Sequence, residues 1–146
     1  MSDKPFSPAA ERNSGPILDV LRTQFAGRQR VLEIGSGNGQ HAVYFAAAMP
    51  WLNWQCTDRP EYLPGICHWV EEAGLANMPA PRLLDVDDAQ WRVDANGQRF
   101  DAAFSANTLH IMGWPQVQAF FAGLDRVLAP TACLVVYGPF NVRGEY

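Results

Sequence analysis

The sequence predicts an α/β protein built on a doubly wound parallel sheet, and three observations carry that prediction. Short apolar runs alternate along the chain with stretches of helical period, the pattern of strands joined by crossover helices. The first such run, Val31 to Ile34, leads through Gly35-Ser36-Gly37-Asn38-Gly39 into an apolar helical stretch. Strand, glycine turn and helix is the unit in which backbone presses against a ligand at the carboxyl end of a parallel sheet. The last run, Thr131 to Tyr137, is nearly continuous in apolar residues, as expected for a strand covered on both faces. Right-handed crossovers then leave few topologies to consider.

Each element has its own local signals. Residues 1–13 read as an irregular N-terminal arm, because Pro5 and Pro8 interrupt any early helix. Ser14 can cap a helix whose first turn accommodates Pro16, and Ile17, Leu18, Leu21 and Phe25 share one face of it. The sheet begins at Arg30 to Ile34, and a helix over 40–49 is stopped by Pro50. Asn53 to Thr57 forms a second strand ended by Asp58, and a helix from Tyr62 to Ala73 ends at Gly74. Pro81 to Leu84 is a third strand closing on Asp85-Val86-Asp87-Asp88. Asn96-Gly97 is a turn signal, which argues against a crossover helix in 89–99. Phe100 to Ser105 is the fourth strand. A helix from Trp114-Pro115 to Leu128 repeats Val117, Phe120, Phe121, Leu124 and Leu128 at helical spacing, before the fifth strand.

Composition narrows the function classes. A chain of 146 residues, 48% hydrophobic, supports one domain, 1–146, with a sizeable core. Net charge is −4 and no Lys/Arg cluster interleaves with aromatics, so nucleic acid is not an expected partner. Cys56, Cys67 and Cys133 lack C-x-x-C spacing and suggest reduced thiols in a cytoplasmic protein, with no disulfide framework and no metal site. No signal-peptide pattern and no membrane-length apolar run is present, so no membrane partner is expected.

The glycine turn decides which ligand is expected. A dinucleotide fingerprint would put its third glycine at position 40, where the chain has Gln40, and no Gly-Lys-Ser/Thr follows as in a phosphate-binding P-loop. What remains is acidic-x-Gly-x-Gly-x-Gly with Glu33 as the acid; an ordinary tight turn between strand and helix is the competing reading. The pattern resembles motif I of the class I S-adenosylmethionine-dependent methyltransferases. That resemblance implies that Glu33 receives the ligand's ammonium group, while Gly35, Ser36, Gly37 and Gly39 admit its amino-acid tail. It also implies a three-layer, Rossmann-like sheet in the order 3-2-1-4-5. Such folds continue with a helix and two further strands, one antiparallel. Their absence here suggests a truncated domain or a partner over the strand-five edge, and a homodimer through that edge is the expected form.

Further site residues sit at successive strand ends. Asp58 can accept both ribose hydroxyls of an adenosine, or can cap the next helix. By the same resemblance Asp85 and Val86 hold the adenine through a carboxylate and a backbone amide; Asp87 and Asp88 are alternatives, and a solvated acidic turn is the plainer reading. After the fourth strand Asn107 would contact the methionine part. His110 has the chemistry of a general base toward an acceptor hydroxyl or amine, although a cap or packing role explains it equally well. His41 lies beside the loop, at a helix entry.

Phe6-Ser7-Pro8-Ala9-Ala10-Glu11-Arg12-Asn13, the Gly39-Gln40-His41 step, Asn107-Thr108-Leu109-His110-Ile111 and Tyr137-Gly138-Pro139-Phe140 occur together and in this order. The set resembles the methyltransferase-like 26, or domain-of-unknown-function-938, family over the whole chain. That resemblance directs attention to Arg12 and Asn13 as residues that fold over the cofactor carboxylate. It implies S-adenosyl-L-methionine as cofactor, S-adenosyl-L-homocysteine as product and a small-molecule acceptor it does not name. A non-catalytic S-adenosylmethionine-binding or interaction module is the alternative, and an NAD(P)-binding oxidoreductase is disfavoured by the glycine spacing.

Overall fold

A computed structural model of the chain describes residues 8–91, 93, 98–106, 108 and 111–138. Its centre is a five-stranded, all-parallel sheet, as the alternating elements predict, in the order β3-β2-β1-β4-β5 that the methyltransferase resemblance implies. The elements are α1 (Pro8–Gln24), β1 (Arg30–Ile34), α2 (Gln40–Ala48), β2 (Asn53–Asp58), a 3₁₀ turn (Pro60–Tyr62), α3 (Leu63–Ala73), β3 (Arg82–Leu83), β4 (Phe100–Ala106), α4 (Trp114–Val127) and β5 (Leu128–Tyr137).

Strand periodicity sorts the core into two layers. Alternate β1 residues point to opposite faces. Val31 joins Trp54, Phe104 and the apolar stripes of α1, α2 and α3, whereas Leu32 and Ile34 join Phe120, Leu124 and Val127 of α4. Glu33 falls on the Val31 face, at the carboxyl end of the central strand and beside Trp54. The register pairs Glu33 with Cys56 and with Phe104, so the ends of β1, β2 and β4 stand side by side.

Three expectations are corrected. The arm expected over residues 1–13 is already helical from Pro8. Pro8 lacks an N–H and has the fixed φ that suits a first helical position, so it opens the helix and leaves Pro16 inside. Strand five starts at Leu128, directly after α4, rather than at Thr131. It is also half-buried instead of covered on both faces, and among the described residues its sheet partner is β4. The turn expected at Asn96-Gly97 lies outside the described residues; between β3 and β4, Trp91 and Val93 are both buried and belong to the α4-side core. The Trp91 indole packs against Gly123 of α4, where a Cβ would overlap it.

Candidate functional site

The carboxyl ends of β1, β2, β3 and β4 open into one cleft of about 530 Å³. Its floor is the glycine turn. Gly35 and Ser36 donate their N–H groups to the Thr57 carbonyl at 3.1 and 2.9 Å, which ties the turn to the end of β2. Gly35, Gly37 and Gly39 all have φ in the left-handed range, at 75, 63 and 89°, a region costly for residues with a Cβ. The three serve different ends. A Cβ on Gly35 would overlap the Thr108 methyl, and one on Gly37 would meet nothing within 4 Å. On Gly39 it would stand 3.1 Å from Ile66 Cα and 3.2 Å from Trp69 Cβ. Gly39 therefore lets α2 approach α3, and it is not among the residues lining the cleft.

Glu33 is the most unusual group in the site. It is 2% exposed, yet it lines the cleft. Its Oε1 accepts hydrogen bonds from Ser36 Oγ at 2.8 Å and from Trp54 Nε1 at 3.1 Å. Ser36 Oγ itself accepts the Thr57 N–H at 3.1 Å, so its own proton is directed at the carboxylate. Burial pushes the Glu33 carboxyl from 4.5 up to about 7; the Trp54 and Ser36 bonds oppose the shift, and the Asp58 charge adds to it. No basic side chain among the described residues pairs with it. The same burial, with Glu33 beside it, holds the Cys56 thiol well above its usual range.

Asp58 closes the next strand. Its Oδ2 accepts the Gly37 N–H at 2.8 Å and its Oδ1 accepts the Arg59 N–H at 2.8 Å. It thus braces the glycine turn rather than capping the following helix, with acceptor capacity left on both oxygens. Burial raises its pKa, and the two backbone N–H groups counteract part of that rise. After β3, Asp85 Oδ1 accepts the Asp87 N–H at 3.0 Å, a local turn that presents Asp85, Val86 and Asp87 to the cleft. Asp88 does not line it. Among the described residues, four carboxylates therefore face the space against one guanidinium, Arg59, whose Nε is 3.3 Å from Glu61 in an exposed pair.

The structure brings together Glu33, Gly35, Ser36, Gly37, His41, Asp58, Asp85 and Val86 in this one cleft. His41 sits at the start of α2, edge-on to Phe45. Arg12 is exposed and Asn13 half-buried on α1, and neither lines the cleft. Asn107 and His110 lie outside the described residues. Sequence reasoning passed over Tyr62, Thr108, Met112 and Gln116, which also line the cleft. Only Gln116 carried a readable signal, being the third residue of a helix that opens with Trp114-Pro115.

Among solved structures, the chain is similar in fold to the S-adenosylmethionine-dependent methyltransferase SibL in its apo form, with 22% identity and a TM-score of 0.75 over 88% of this chain and 36% of that one. It is similar to S-adenosylmethionine-bound CalS10, an amino pentose methyltransferase from Micromonospora echinaspora, with 21% identity and a TM-score of 0.69 over 100% of this chain and 61% of that one. The DhpI-SAM-HEP complex aligns at 24% identity and a TM-score of 0.66 over 90% of this chain and 56% of its own. The chain thus spans 36–61% of the length of these proteins. Its fold is that of the class I methyltransferases. Residues 4–146 match the family described as "Protein of unknown function (DUF938)", and the chain belongs to that family.

Proposed function

We propose that this chain is an S-adenosylmethionine-dependent methyltransferase of the methyltransferase-like 26 type, acting on a small-molecule acceptor in the cytoplasm. One observation carries the reading. A buried carboxylate, Glu33, faces a cleft without a basic partner among the described residues, two strand ends from Asp85 and beside Asp58. An ammonium group supplied by a ligand resolves the cost of that buried charge. The donor set fits the cofactor along its length: Glu33 for the ammonium, the open side of Gly37 for the backbone-like tail, Asp58 for the ribose hydroxyls, and the Asp85–Asp87 turn with Leu84 and Val86 for the adenine.

When bound, the sulfonium supplies an activated methyl group with a good leaving group already in place. What this chain adds is positioning and exclusion of water. Ser36 and Trp54 fix one oxygen of Glu33, and Asp58 locks the glycine turn through Gly37, so the polar groups need little reorganisation on binding. His110 is proposed as the base toward the acceptor and Asn107 as a contact to the methionine part; His110→Ala should lower turnover while leaving cofactor affinity within about threefold. Association of two copies through the open edge of β5 is a further part of the proposal, and light scattering that gives a monomer mass counts against it.

The deciding experiment is calorimetric titration with S-adenosylmethionine, S-adenosylhomocysteine and NAD. Binding of the first two and not of NAD is expected; binding of NAD alone overturns the reading. A second reading, a binding module without transfer, draws support from the openness of the cleft's β4 side, where Ile111 is 73% exposed. Cofactor binding without turnover on an acceptor panel would favour it.

A further inference from the structure

The first turn of α4 contributes a polar side chain to the cleft lining. Gln116 is the third residue of α4 and lines the cleft. Its Oε1 accepts the Gly113 N–H at 3.2 Å, capping the helix, and its Nε2 donates to Asp87 Oδ2 across a long 3.4 Å. These two bonds fix which way the amide faces: oxygen to its own helix, nitrogen to the acidic turn. The turn is itself closed, with the Asp87 and Asp88 N–H groups both donating to Asp85. Between these walls Leu84, Val86 and Met112 supply apolar surface continuous with the α4-side core. The result is a slot with apolar sides, edged by carboxylate acceptors and by one amide nitrogen that has a second hydrogen to donate.

We infer that Gln116 is a specificity-determining residue for the nucleobase, bridging α4 to the Asp85–Asp87 turn so that the slot takes a base with an exocyclic amine and a ring-nitrogen acceptor. The inference rests on the adenosine reading above. Adenine offers an amine donor to the carboxylates and a ring acceptor to the amide. Hypoxanthine places a carbonyl oxygen where the amine stood, so two acceptors face each other at the half-buried Asp85 and the exposed Asp87. Without the Gln116 amide the carboxylates keep their preference only in part, because neither the base plane nor the turn is held against α4.

The test compares S-adenosylhomocysteine with S-inosylhomocysteine by calorimetry on the wild-type chain, Gln116→Glu and Gln116→Ala, with thermal unfolding of each in parallel. Gln116→Glu keeps an oxygen to accept the Gly113 N–H, so α4 stays capped while the donor is lost. The wild type should prefer the adenosine ligand by at least about tenfold. Each variant that folds should bind it roughly tenfold more weakly and show a preference below about threefold. A folded variant that keeps the wild-type preference overturns the role of Gln116 and leaves the cofactor reading standing. A wild-type chain that binds neither ligand overturns both.

Discussion

Replacing Glu33 by glutamine should stabilise the ligand-free protein above neutral pH while abolishing its ligand affinity. The reasoning starts from burial, which holds the Glu33 carboxyl at about 7 against an ordinary 4.5. A raised carboxyl pKa means the folded state binds the proton more tightly than the unfolded chain does. The associated stability is therefore complete below pH 4.5, falls as pH rises toward 7, and is gone above it. At about 1.4 kcal/mol per pH unit, the ionised group costs the fold about 3 kcal/mol at pH 8. Glutamine retains an oxygen to accept the Ser36 and Trp54 bonds and never ionises. The variant-minus-wild-type difference in unfolding free energy should therefore be near zero at pH 4.5 and rise to about +3 kcal/mol at pH 8, a gain of roughly 6–10 °C in Tm. Subtracting the two proteins cancels the other titrating groups, which is why the difference and not either curve is the readout. In the same preparations, S-adenosylhomocysteine affinity should fall at least a hundredfold in the variant, because the ligand's ammonium loses its counter-charge. In the wild type it should weaken about tenfold per pH unit below 7 as Glu33 takes up its proton. Urea titrations at pH 4.5, 6 and 8 decide the matter. A pH-independent difference, or a variant that loses stability at pH 8, would refute the account of Glu33 as an ionised group awaiting a cation.

Asp58→Ala removes the acceptor for two backbone N–H groups as well as the proposed ribose contact; it should cost about 1–3 kcal/mol of stability and ten- to a hundredfold in ligand affinity, and unchanged calorimetric affinity would remove Asp58 from the site. Gly39→Ala and Gly37→Ala should separate packing from binding. The first adds a Cβ against Ile66 and Trp69 and should destabilise by about 2–4 kcal/mol in urea. The second meets open space and should cost only the backbone penalty of about 1–2 kcal/mol, but should impair binding more; equal stability losses would contradict the geometry. Trp91→Ala empties the layer where a crossover helix would lie and should cost about 3–5 kcal/mol, read from the urea midpoint.

Periodicity and punctuation were enough to place most elements, because they are local. Arg30–Ile34 and the Gly74 helix stop, with its left-handed φ of 59°, were legible from neighbouring residues alone, as were Glu33, Asp58 and Asp85 at successive strand ends. The start of α1 was misjudged between two prolines that look alike locally, and the exposure of β5 depends on its place at the sheet's edge, which no run of apolar residues encodes. The glycines show the division most clearly. Their spacing announced a turn in which all three take positive φ, a backbone property of the sequence itself. That Gly37 faces open space, Gly35 meets Thr108 and Gly39 admits α3 depends on residues far away in the chain. Gln116 could be read only as a helix cap until α4 was packed beside the Asp85–Asp87 turn. The sequence by itself determined the parallel sheet and the acids at the carboxyl ends of its strands. Tertiary structure decided which of those groups share a cleft, how burial holds Glu33 near neutrality, and which side chains close the site, because each depends on distances between segments that local sequence does not specify.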